Sequence, residues 1–443
     1  MIQEEILVRD KIDSAFSRNS VEQISSQNGE PQWMLNKRLR ALTIYEEMPQ
    51  SKRSDLPVSS RLDASGLSLE KLQLFSEAGG SNAPAMDAIS SVQAQRSASL
   101  LLRNNLRVDK DHLGGKLPKG TIYTDIGSAL REHPDLIQKY FMSTNVQLNE
   151  NRFVALHGAF WNGGTFLYVP KNVKIEFPIH SFYTVDRKSS AFFPHTIIVA
   201  EEGSSVTFID SHSSPTTDSQ SLVDGVVEIF AGERSEVNYI SLQEYGRNVY
   251  HYSLKRLHAK KDSNTTWCEI GLGSKLSKCN IEAVMQESGV NVNMLGLYFP
   301  VADQQMEFDT LQIHEAPHAT SDLLYKGALR DKARSIFEGL IRVNKGAQKT
   351  NAYQANRNML LSSESRADSI PKLEIEANDV RCTHGATVGP INEDQLFYLM
   401  SRGLPKEAAT HLLVLGFFSE VLDRIPVQDI REELLNQIER QID

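Results

Sequence analysis

Thr196 to Asp210, TIIVAEEGSSVTFID, and Gly225 to Gln243, GVVEIFAGERSEVNYISLQ, are the stretches whose reading decides the fold of this chain. In each, an apolar run meets a Gly-containing turn and a second apolar run follows. Thr196 to Ala200 and Val206 to Ile209 flank Glu201, Glu202 and Gly203; Val226 to Phe230 and Val237 to Ile240 flank Gly232 and Glu233. Val, Ile, Phe, Tyr and Thr suit a pleated, packed surface, so each run reads as a strand, and the two runs of a unit read as partners across their turn.

Working outward, the same texture extends from Asn151 to about Leu373, through TFLYVP and NVYHYSLKRLHAK. Strand starts recur about ten residues apart, a spacing that suits a β-sandwich or a β-solenoid. A sandwich of this length is unusual as one domain, whereas a solenoid adds coils that each bury their neighbour's face. The spacing predicts a β-solenoid over 151–390.

Residues 1–150 read as a broken helical region. Trp33, Leu35, Leu39, Leu42 and Tyr45 alternate with charged residues at helical spacing up to Pro49. Gln50 to Asn82, rich in Ser, Gly, Pro and Asp, reads as an exposed, flexible connection with short ordered pieces. Ala85 to Ala98 and Ile126 to Met142 read as further helical pieces, the second interrupted at Pro134.

Residues 391–443 form a helical unit. Asn392, with Gln395 three residues on, reads as a capping box, and Gly403 suits a left-handed C-cap. Pro405 suits the first turn of the next helix, where Ala408, Leu412, Leu415, Phe418, Leu422 and Ile425 make an apolar stripe ending at Pro426. Ile430, Leu434, Ile438 and Ile442 repeat the pattern. The long helix carries enough apolar surface for two faces, so packing onto the β body and docking of a partner are both open to it.

The chain has 443 residues, with 47 Lys and Arg against 56 Asp and Glu, a net charge of −9. It lacks the clustered basic excess that nucleic acids and anionic membranes require. Its longest apolar run, Leu412 to Phe418, is interrupted by Gly416 and falls far short of the roughly 20 residues a bilayer span needs. The first residues are acidic and carry no long apolar segment, so a cytoplasmic location is expected. Three cysteines, Cys268, Cys279 and Cys382, make no disulfide framework and no CxxC pair. A metal here would need His or carboxylate ligands, or ligands from a second chain.

Few motifs carry chemistry alone. HLGGKLPKG lacks the phosphate-loop spacing and reads as a turn entering the β body, so no ATPase is expected. His314 and His318 bracket Glu315, but Pro317 keeps HEAPH out of a regular helix, which excludes a zincin site. RCTHGATVG sets Cys382 and His384 two apart, on one face of a strand. That pair reads either as a metal site or nucleophile–base pair, or as a buried thiol beside a structural imidazole.

The run from Ala355 to Pro426 resembles the SufB/SufD family of iron–sulfur cluster assembly proteins. The resemblance is carried by the RN segment ending at Asn358, Pro371 to Ile375, His384 to Gly389 and DQLFYLMSRG, and more weakly by TIIVAEEGSSVTFIDSHSSP and Gly29 to Met48. It implies an N-terminal helical region, a right-handed parallel β-helix and a C-terminal helical domain docking the ATPase subunit SufC. Ser362 stands where SufB carries a sulfur-accepting cysteine, Thr383, His384 and Gly385 stand for its Glu-His-Glu, and His212 stands where it usually holds a cysteine. These departures resemble the SufD side of the family. Without those thiolates the chain alone would be a poor sulfur acceptor.

The resemblance implies a non-catalytic scaffold subunit pairing with a SufB-like chain, with homodimerisation when alone. His384, with Cys382 as a second ligand, would help hold iron or a transient iron–sulfur cluster at the shared interface. ATP would bind only on SufC; no dinucleotide fingerprint speaks for a flavin. Arg402, Gly403, Leu404, Pro405, Leu412, Leu415 and Phe418 are the expected SufC-docking residues, the helix from Pro405 to Ile425 acting as a lever that twists the two β-helices against each other. The alternatives are a homodimeric SufB-like scaffold, against which Ser362 speaks, and a β-solenoid carbohydrate-active enzyme, which would need clustered carboxylates and often Ca²⁺.

Overall fold

The computed structural model describes residues 15–49, 57–74, 98–104 and 117–442, and the backbone of a short strand at 106–107. The expected helix over Ala85 to Ala98 lies outside these residues, except for Ala98, which begins strand β1 (Ala98–Arg103). Helices α1 (Arg18–Asn28) and α2 (Gln32–Glu47) come first. After β2 (Leu106–Arg107) and β3 (Ile122–Asp125) come α3 (Ile126–Glu132) and α4 (Pro134–Tyr140), separated at Pro134 as the sequence indicates. Asn151 caps a further helix, α5 (Arg152–Phe160), by accepting from the amides of Phe153 and Val154, so the run of strands resumes only at Gly163, twelve residues after Asn151.

From there the chain is a parallel β-solenoid of about eight coils. Strands β4 (Gly163–Val169), β7 (Pro194–Ala200), β9 (Ser221–Ala231), β11 (Val249–Ala259), β13 (Leu276–Met285), β15 (Gln305–His314), β17 (Arg334–Val343) and β19 (Arg366–Ile375) stack in one sheet, with β3 antiparallel at its start. The other sheet stacks β5 (Ile179–Thr184), β8 (Ser205–Ser213), β10 (Glu236–Glu244), β12 (Asn264–Gly271), β14 (Asn291–Tyr298), β16 (Thr320–Leu329), β18 (Asn351–Leu360) and β20 (Arg381–Pro390) onto β1. The two-residue strand β6 (Ala191–Phe192) pairs beside β9.

Sequence pairing across the Gly turns is corrected by this topology. β7 and β8, and likewise β9 and β10, lie in opposite sheets, and each pairs in parallel with strands one coil away. Gly203, with a φ of +66°, helps turn the chain from one sheet to the other rather than closing a hairpin.

Both outer faces of the solenoid are covered, which explains apolar runs where a one-sided sheet would show strict alternation. Helices α1, α2 and α5 pack with the outer face of the first sheet, where Ile197, Val199, Val226, Tyr252 and Leu254 are buried. The segment 57–74 is no loose connection. Its Leu67, Leu69, Leu72 and Leu74 are buried, and the amides of Ser59, Asp63 and Ser68 donate to Glu307, Gln305 and Gln220. Burial of a few leucines within a polar composition overrides the flexible reading over 57–74; the rest of the stretch from Gln50 to Asn82 lies outside the described residues.

Helices α6 (Glu393–Ser401), α7 (Lys406–Leu422) and α8 (Gln428–Ile442) form the C-terminal unit. Val414, Phe418, Val421, Leu422 and Ile425 pack, with Ile430, Leu434 and Ile438, onto Ile240, Ile270, Leu295 and Leu297 on the outside of the second sheet. The buried stripe of α7 is therefore rotated from the expected one: Leu412 stands out in solvent and Leu415 is only partly buried.

Candidate functional site

The solenoid ends openly. β19 and β20 are the last strands of their sheets, each paired on one side only, with β17 and β18, among the described residues. Unpaired strand edges are templates for another strand. Around this end Tyr353, Ile375 and Val388 expose large apolar surface, Val388 at 43%.

Register places the paired Cys382 and His384. Cys382 lies beside Ala352, and His384 beside Gln354, in columns that run inside the solenoid through Val206, Val237 and Val292, and through Phe208, Tyr239, Trp267, Met294 and Leu323. Both side chains therefore continue interior columns into the last coil, where His384 is exposed because nothing stacks on it. Cys382 is half-buried, and burial pushes its thiol above the ordinary range. Burial also pushes Cys268 up to about 12 and Cys279 up to about 11. None of the three is poised as a thiolate nucleophile. Among the described residues no cluster of three or more His, Cys, Asp or Glu could hold a metal ion.

Ser362 sits in the turn between β18 and β19, its hydroxyl buried without a partner among the described residues. His212 lies deeper inside, stacked on Tyr183 at 4.5 Å, with Nδ1 2.9 Å from the Tyr245 hydroxyl and Nε2 3.3 Å from Asp210. Close by, Lys255 donates to both oxygens of Glu269, at 2.7 and 2.9 Å, and to Ser241 at 2.7 Å. His314 is buried at the end of β15 and His318 exposed in the following turn, so HEAPH makes no joint site.

The C-terminal unit presents a second surface. No residue of α6 is buried; Phe397 is 72% exposed, and Tyr398, Met400 and Leu412 stand out beside it in sequence and across the α6–α7 turn. Arg402 lies over the Tyr398 ring at 5.1 Å, and Gly403 turns the chain at a φ of +95° before Leu404 and Pro405 lead into α7. Of the docking residues read from the sequence, Arg402 to Pro405 and Leu412 lie on this outer side, whereas Phe418 is wholly buried against the β body. Phe397, Tyr398 and Met400 lie on the same exposed side, and LFYLM, five hydrophobic residues in a short helix, is the sequence signal that marks them.

A family model for the SufBD core domain of the SUF system of FeS cluster assembly matches residues 182–417, and one for the SufBD protein N-terminal region matches 90–180. The iron–sulfur cluster assembly protein SufD of Bacillus subtilis is 32% identical over 94% of this chain and 96% of its own length. The chain belongs to the SufBD family. SufBD family proteins of Staphylococcus saprophyticus and Staphylococcus epidermidis are each 30% identical over 93% of this chain and 90% of theirs. The SufBD core match takes in the open end, His384 and most of α7. Among the described residues no helix is long and apolar enough to cross a membrane.

Proposed function

We propose that this SufD homologue is the non-catalytic half of a two-subunit cluster scaffold, working in the cytoplasm. The open end of the solenoid pairs with a SufB-like chain, which supplies the thiolates, and His384 contributes a neutral imidazole, a competent iron ligand. Iron or a nascent cluster is cargo at that seam, with Cys382 a second donor once metal displaces its proton. The observation that carries the reading is the position of His384: it ends an interior column at an uncapped edge, where it can face a second chain. The exposed surface of α6 and the start of α7 is the proposed seat of the ATPase subunit, which alone binds ATP. Division of the chain into 1–150, 151–390 and 391–443 then corresponds to cap, scaffold and docking unit.

Anaerobic co-purification, with iron and sulfide quantitation for the natural chain and for His384→Ala, tests this. A reduced cluster content in an intact complex supports it; unchanged content, or a chain that purifies alone, sinks it.

A further inference from the structure

Away from the open end, the interior of the solenoid turns polar. Val206 and Phe208 on β8, and Val237 and Tyr239 on β10, pack in the apolar core; further along the same inward faces come Asp210, His212, Ser241 and Gln243. From the other sheet β11 brings His251, Ser253 and Lys255. Between them lies a cavity of about 20 Å³, whose walls include Asp210, His212, Tyr245, His251, Ser253 and Lys255. That is room for one water.

The hydrogen bonds around this cavity nearly close. All three N–H groups of Lys255 are taken by Ser241 and the two oxygens of Glu269. The Tyr245 hydroxyl lies 2.9 Å from His212 Nδ1, and His251 Nδ1 lies 2.8 Å from Ser277 Oγ. Asp210 Oδ2 accepts from the Tyr239 hydroxyl at 2.7 Å. Two atoms of the wall are left over. Asp210 Oδ1, on a wholly buried residue, has His212 Nε2 at 3.3 Å without hydrogen-bond alignment and no hydrogen-bond partner among the described residues. Ser253 Oγ, equally buried, has none there beyond the weakly bonding thiol of Cys279. One belongs to each sheet.

An apolar cavity stays dry, whereas one walled by polar groups in want of partners takes up water, because each group left open costs roughly 1–3 kcal/mol. Charge selects the same occupant. Lys255 is already paired, so the open carboxylate oxygen of Asp210 calls for a hydrogen-bond donor and disfavours an anion. We propose that this cavity is a binding site for a single structural water, which donates to Asp210 Oδ1, shares a hydrogen bond with the Ser253 hydroxyl and so ties the two sheets together across the interior. The site is independent of any role of His384.

Gly225, on β9, also lines the cavity, and a Cβ there would meet only Pro194 and the Ser253 Cβ, at 3.6 Å or more, which is ordinary contact. A methyl group therefore fits the protein but competes with the water. The natural chain and Gly225→Ala are compared by water-oxygen relaxation dispersion, which counts long-lived internal waters, and by urea unfolding. Gly225→Ala is expected to hold one long-lived water fewer and to shift the folding equilibrium about tenfold toward the unfolded chain. A mere packing defect gives the reverse, an unchanged count and a gain in stability from the filled space and the stiffer backbone. Either of those results overturns the proposal. If Gly225→Ala does not fold, the natural chain decides by magnetic resonance: cross-relaxation from water to the Gly225 α-protons is expected, and its absence overturns the site.

Discussion

His157, His195 and Glu228 form a buried chain between α5 and the outer face of the first sheet, and its hydrogen bonds fix where the protons sit. The Asp224 carbonyl only accepts, so His157 Nδ1, at 2.8 Å, carries a proton. His157 Nε2 then accepts from His195 Nδ1 at 2.9 Å, which leaves His195 Nε2 in need of a donor, 3.0 Å from Glu228 Oε1. Burial holds both rings well below the imidazole range and pushes Glu228 up to about 8, so the carboxyl supplies that proton. Unfolded, Glu228 loses its proton near 4.5; folded, it keeps it to about 8, so its contribution to stability falls as pH rises through that window. The histidines act with the opposite sign and only below about 6.5. Between pH 6.5 and 8, the unfolding free energy from urea titrations is therefore expected to fall by about 1 kcal/mol or more per pH unit, with the slope reduced in Glu228→Gln and the remainder carried by Asp224, which burial also raises. Inside the solenoid, Lys255→Met strands the Glu269 charge and is expected to cost about 3–5 kcal/mol in chemical denaturation, most of it regained when Glu269→Met is added.

At the scale of elements, α7 carries a face attached to the β body and a face left exposed. Phe418→Ala removes a ring from the seam with the β body and is expected to lower stability by about 3–5 kcal/mol, measured by urea unfolding. Phe397→Asp and Leu412→Asp touch nothing in the core; both are expected to leave the melting temperature unchanged while weakening pull-down of the proposed ATPase partner about tenfold, by about 1.4 kcal/mol. Strand β20 is the corresponding element at the other surface. Val388→Lys sets a charge over the open end, and sedimentation is expected to show loss of the proposed pairing with a SufB-like chain, with the single chain still folded. An unaltered sedimentation profile would place the subunit contact elsewhere.

For the whole molecule, deleting residues 392–443 is a poorer probe than these point changes. It would bare the Ile240, Ile270, Leu295 and Leu297 wall that α7 and α8 cover, so aggregation is the expected outcome on a sizing column. That wall was not legible in the sequence, where Ile and Leu on both faces of a strand look alike. The solenoid was legible, because its interior columns need Val, Phe, Tyr and Trp at every coil, and stacking repeats that demand along the chain. So was the helical tail, whose caps and apolar spacing are local. The partners of each strand were not: parallel pairing one coil away joins residues roughly 30 apart, and no local pattern distinguishes it from pairing across the nearest turn. The face of α7 that packs and the face that stays free were also decided by tertiary contact, since Leu412 and Phe418 are equally apolar and only the position of the sheet beneath them sets them apart. Cys382 and His384 stood out from their spacing, but that they end interior columns at an open edge followed only from register, which the stacking of the coils fixes.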